Sequence, residues 1–188
     1  MTNNPLVQEI LDFWFGASDS AELGSRRTIW FESTPQFDQE IRTRFSRVHE
    51  QAASGALDSW AGDVLGSLAL IIILDQFSRN LYRGKAEAFA CDAKARSIAK
   101  QALMQNFDKG LLTVQRLFFY LPFEHSEDLS IQEKSVELFV QLGDATSLKH
   151  ALCHRDQIVR FGRFPDRNKA LGRTSTLAEQ RFLAHPFC

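Results

Sequence analysis

The stretch Val64–Asn80, VLGSLALIIILDQFSRN, limits the possible folds more than any other part of the chain. Its middle, LALIIIL, is apolar at every position, so no face is reserved for water and the segment belongs in a core. The run IIIL would also suit a buried strand. A strand needs a partner, however, and no second β-rich run occurs elsewhere in the sequence. A helix started by Asp63 is the better reading, and it assigns the chain to the all-α class.

The punctuation elsewhere is helical too. Asn4 before Pro5 is an N-cap with a first-turn proline, and Gly16 closes a helix over PLVQEILDFWF. A loop with Arg26, Arg27 and Trp30 follows. Thr34 and Pro35 repeat the start signal, Phe37, Ile41, Phe45, Val48 and Ala52 recur at steps of four and three, and Gly55 ends the second helix. After the apolar third helix, a fourth covers EAFACDAKARSIAKQALM and a fifth TVQRLFFYL, ended by Pro122. Ser130 with Glu133 forms a capping box for a sixth, IQEKSVELFVQL, unless Ser126 starts it a turn earlier. ATSLKHALCHRDQIVRF is the seventh, stopped by Gly162 and Pro165, and STLAEQRFLAH the last, ending at Pro186.

Short connections make successive helices antiparallel neighbours, which predicts an up-and-down array in a single domain, residues 1–188. The first, third, fifth and seventh helices then point the same way. Their C-terminal ends carry DFWFG, DQFSRN, FEHSED and RFGRFPDRN, so these clusters are expected on one edge, with Arg79, His125 and Arg163 in reach of shared partners.

Composition bounds what such an edge can do. A net charge of -1 over 188 residues offers no global field for nucleic acid or an anionic membrane, so a basic site must be local. The N-terminus has no basic n-region, and the longest apolar run is far shorter than the ~20 residues that span a bilayer. A soluble, cytoplasmic protein is expected, with no nucleic-acid and no membrane partner. Cys91, Cys153 and Cys188 are odd in number and widely spaced, which favours reduced thiols.

In DQFSRN, Asp75 pairs with Arg79 and Gln76 with Asn80 at i, i+4, either as an internal salt bridge or as a polar pocket floor. In FEHSED, His125 stands among Glu124, Glu127 and Asp128, a setting for acid–base chemistry or, more simply, acidic residues complementing the next helix dipole. His150 and His154 are four apart, but no third ligand at metal spacing accompanies them, so no metal and no cofactor are expected. Arg155 falls on the apolar stripe of Leu148, Leu152 and Val159, a misfit read as a snorkelling side chain or a less buried face. Arg160, Arg163 and Arg167 splay from a loop broken by Gly162 and Pro165. An ion-pair network with Glu124, Glu127 or Asp75 is the first reading of these arginines, and a pocket for a small anion, to which guanidinium forks are suited, is the second.

The segments ILDFWFG, LDQFSRNLYRG, FFYLPFEHSED and RFGRFPDRN, followed by LGR and ST in this order, resemble an uncharacterised bacterial family, domain of unknown function 924, from about Leu6 to Phe182. The resemblance implies an all-helical fold similar to a tetratricopeptide-repeat superhelix and implies no activity. Asp166 departs from the family's RFPHRN pattern, which weakens any scheme needing a base there. The resulting expectation is a helical array binding a small anionic ligand through Asp75, Arg79, Asn80, His125, Glu127, Arg160, Arg163, Arg167 and Asn168. A helical scaffold for a protein or peptide is the alternative, and a metal-assisted enzyme the second alternative.

Overall fold

The computed structural model describes residues 4–185, so Pro186 and Cys188 lie outside the described residues. Every regular element among the described residues is helical. The helices are α1 Pro5–Phe15, α2 Pro35–Ser54, α3 Val64–Leu81, α4 Asp92–Met104, α5 Thr113–Glu124, α6 Leu129–Leu142, α7 Ala145–Phe161 and α8 Leu177–Ala184. The chain divides into two compact units, Met1–Arg83 with Glu87–Pro122, and Gly84–Ala86 with Phe123–Cys188.

In the first unit α1, α2 and α4 all pack on α3. Leu68 to Asp75 are fully buried, as an all-round apolar helix requires. Val64–Leu81 has a mean hydropathy of 1.4 over 18 residues, long and apolar enough to cross a membrane, but 83% of it is buried in the protein. Its apolarity is therefore spent on core. The helix is not uniform: Ile72–Phe77 winds as a π-helix between α-helical Val64–Ile71 and Ser78–Leu81. Such wider turns accommodate an inserted residue and often accompany polar groups inside helices, here Asp75 and Gln76.

Rings close the unit around α1. Phe13 stacks on Phe37 at 5.1 Å, and Trp14 meets Phe77 and Phe118 edge-on, each at 5.6 Å. The carbonyls freed at the end of α1 are satisfied from the next loop, where Arg27 donates to Phe13 O and Trp14 O and Trp30 Nε1 donates to Trp14 O. Gly16 makes this corner possible at φ +90°, since a Cβ there would meet Ser20 Oγ at 2.6 Å.

The second unit is built on a hairpin of α6 and α7. Gly143, in the left-handed region, ends α6, and Asp144 caps α7 by accepting from the Thr146 and Ser147 amides. Thr176 and Glu179 form the capping box that starts α8, whose Phe182 packs on Phe161 at 5.2 Å.

Several boundaries differ from those read in the sequence. Helix α5 runs through Pro122 to Glu124: the proline removes one ladder bond, but burial of Leu121 and Phe123 favours the continuing turn. Asp128, not Ser130 or Ser126, caps α6, because its carboxylate accepts from both Ser130 N and Ile131 N. The start of the fourth predicted helix is a separate 3-10 turn, Ala86–Phe89. Val159 is 61% exposed while Leu148, Leu152 and Arg155 are half-buried, so this stripe is less buried than an apolar face would be, and Arg155 pairs with Asp156. Cys91 is a free thiol, whereas Cys153 is disulfide-bonded, which corrects the expectation of a reduced thiol at that position.

Candidate functional site

The polar end of α3 is held within the first unit. Arg79 donates to both carboxylate oxygens of Asp92, at 2.9 and 3.2 Å, and to the Asp75 carbonyl. It lies 3.4 Å from the fully buried Asp75 carboxylate, which also accepts from Gln76. One turn on, Asn80 donates to Asp38 and Ser33, and Arg83 grips both oxygens of Asp38. Burial acts to raise the Asp38 pKa, but the bonds from Arg83, Asn80 and Ser33 outweigh it and hold the carboxyl below its usual value. These groups tie α2, α3 and α4 together.

In the second unit, the chain from Phe161 to Thr176 is organised by two bidentate pairs. Arg173 donates to Glu127 through both Nη atoms, at 2.7 and 2.9 Å, and also to Asn168 Oδ1 and the Phe164 carbonyl. Glu127 accepts the Phe164 amide as well, and Asn168 donates to Ser175. Burial would raise the Glu127 pKa, but Arg173 and the Phe164 amide lower it on balance. Arg163 grips both oxygens of the buried Glu179, at 2.6 and 2.9 Å, and donates to Thr174 O. That pair, with the Thr176 amide, takes the Glu179 pKa from 4.5 down to about 2.

Beside this network lies a cavity of about 290 Å³, lined by His154, Gln157, Phe164, Asp166, Arg167, Phe182 and Leu183, all of the second unit. His154 Nδ1 is 2.9 Å from both Glu124 Oε1 and the His150 carbonyl. A carbonyl can only accept, so Nδ1 carries the proton. Nε2 is then the nitrogen left for a ligand. Burial works against the imidazolium, yet the Glu124 carboxylate, itself 3% exposed, prevails and raises the His154 pKa; Arg167 opposes the rise from a distance. The Arg167 guanidinium sits 4.5 Å above the Phe164 ring, and the His154 ring meets the same phenylalanine edge-on at 5.3 Å. Phe182 and Leu183 add apolar surface to the lining of the same cavity. No group of three or more His, Cys, Asp or Glu placed to hold a metal ion occurs among the described residues.

Residues 10–186 match the family described as "Bacterial protein of unknown function (DUF924)". The chain belongs to this family. It is also similar to a solved protein of unknown function from Agrobacterium tumefaciens, at 39% identity and a TM-score of 0.85, over 95% of this chain and 96% of that one. No curated protein matches it.

Within this DUF924 chain the expected site residues separate by unit. Asp75, Arg79 and Asn80 belong to the first, and His125, Glu127, Arg160, Arg163, Arg167 and Asn168 to the second. Glu127 and Asn168 meet through Arg173, Arg163 is held by Glu179, and Arg160 lies over the Phe161 ring at 5.1 Å. His125 is half-buried. Of the nine, Arg167 alone lines the cavity. The ion-pair network expected from the arginine-rich loop is present with other partners: Arg173 holds Glu127, and Arg163 pairs with Glu179. Sequence reasoning did not single out Arg173 or Glu179, and it met His154 only as half of a histidine pair. Glu179 had a usable signal, the third position after Thr176 in a capping box. The pairing of His154 with Glu124 had none.

Proposed function

We propose that the second unit of this DUF924 protein binds a small organic anion in the His154–Arg167 cavity. The observation carrying this reading is His154, which lines the cavity together with Arg167: its Nδ1–H is committed to Glu124 and the His150 carbonyl, so Nε2 is the ring nitrogen that remains for a ligand. A histidine that serves only packing has no need of a buried carboxylate 2.9 Å from its Nδ1. The volume lies near the lower end of the ~300–1,000 Å³ typical of ligand pockets, which suits a molecule smaller than a nucleotide.

A ligand that binds only the folded state raises the melting temperature by mass action. At pH 7 and matched ionic strength, at least one of benzoate, acetate, phenyl phosphate and inorganic phosphate is expected to raise it saturably over sodium chloride. Arg167→Gln and His154→Gln should lose the rise while keeping their helical circular dichroism. A panel without effect, or variants that respond like the wild type, would overturn the proposal.

A further inference from the structure

We propose that the anion binds together with one proton, carried on His154 Nε2 and held there by the charge of Glu124, so that affinity is lost as pH rises through the titration of His154. The inference rests on the anion-binding reading and goes on to name how that site is regulated. His154 Nδ1 lies 2.9 Å from the Glu124 carboxylate of α5 and 2.9 Å from the His150 carbonyl of its own helix. Both partners accept, so the Nδ1 proton stays in place whether the ring is charged or neutral. A neutral imidazole elsewhere can carry its one proton on either nitrogen. Here the neutral ring leaves a ligand only the Nε2 lone pair, which repels an anion, whereas the charged ring offers Nε2–H as a donor. One proton thus changes both the charge of the ring and the hydrogen-bonding sense of the atom that remains for a ligand.

Each element around the ring contributes in its own way. Burial disfavours the imidazolium, and Glu124, 3% exposed, outweighs it and leaves the His154 pKa raised. From the loop before α8, Arg167 opposes that rise, and Asp166 joins the cavity lining as a carboxylate. Helix α8 supplies Phe182 and Leu183 to the lining, neither of them titratable. Arg167 enters only as a constant charge, because a guanidinium keeps its proton, and its hydrogen bonds play no part in the coupling. Histidine is the residue type among these whose charge changes near neutral pH. Below the folded pKa the ring is already charged and affinity is level. Above it, binding must draw a proton onto Nε2, and affinity falls toward a limit of about tenfold per pH unit.

Isothermal titration calorimetry of the full chain from pH 5.5 to 9, at constant ionic strength, tests this with acetate, benzoate, benzenesulfonate and sulfate, whose charge is constant over that range. Phosphate titrates within it and is left out. At least one of the four should bind with level affinity at the acid end and lose about tenfold per pH unit at the alkaline end. His154→Gln should bind weakly at every pH. Glu124→Gln keeps an acceptor for Nδ1–H but not the charge, so its fall should begin at lower pH. Nitrogen-15 spectra of the His154 ring, read without ligand, should show Nδ1 protonated throughout and Nε2 alone titrating, and they decide the tautomer even where Glu124→Gln does not fold. A wild-type affinity that changes less than about twofold over the range, a His154→Gln protein with the wild-type fall, or a neutral ring protonated on Nε2 refutes the coupling and leaves the anion site standing. A folded Glu124→Gln protein with the wild-type profile removes Glu124 from it. If none of the four anions binds at pH 5.5, the coupling falls, and the phosphate arms of the melting experiment still decide the anion site.

Discussion

Arg163 and Glu179 are separated by sixteen positions in the chain and by 2.6 Å in space. A carboxyl held at about 2 in the folded state and at 4.5 otherwise stabilises the fold above pH 4.5 and loses that contribution as pH falls toward 2. His154 has the opposite sign. Its pKa is raised above 6.5, so its contribution is complete below pH 6.5 and fades as pH rises through the folded value. Thermal melts of wild type, Arg163→Gln and His154→Gln from pH 2 to 9 should resolve the two slopes. Arg163→Gln is expected to flatten the acid limb and His154→Gln the limb above pH 6.5. Variants with wild-type slopes would show that neither pair is linked to folding. Neither partner follows from spacing. Arginines at Arg160, Arg163 and Arg167 are visible as a cluster, but a guanidinium pairs with whichever carboxylate the folded loop brings within reach.

At the level of the helix, local chemistry was readable wherever it acts locally. Prolines Pro5 and Pro35 open α1 and α2, and Gly16, Gly55 and Gly162 close three helices at positive φ, because cap and turn preferences depend on a few adjacent residues. The start of α6 was misread because Asp128 and Ser130 are both good caps and only the backbone decides between them. Ser130 Oγ in fact donates to Asp128. Asp128→Ala should therefore cost about 0.5–2 kcal/mol in urea unfolding, and Ser130→Ala much less. The reverse order would return the cap to Ser130. The π-helix at Ile72–Phe77 and the passage of α5 through Pro122 were not readable, since both depend on packing that offsets a local backbone cost.

For the whole molecule, the same commitment of His154 bears on metal chemistry. Its Nδ1 is engaged by Glu124 and its own helix, and no set of three ligands gathers among the described residues. Protein prepared without chelator is expected to contain less than about 0.1 equivalent of zinc or iron by elemental analysis, against the one per chain of an occupied site. A stoichiometric metal would overturn this and would compete directly with an anion for Nε2. The sequence by itself determined the all-α class, the order of the helices, most of their ends and the family, because these follow from apolar periodicity, cap chemistry and long linear motifs. Tertiary structure alone decided that Arg173, not the arginines of the quoted loop, holds Glu127, and that Glu124 lies behind His154. A buried charge must find a counter-charge, but sequence says only that candidates exist; the path of the backbone brings one of them to 2.9 Å.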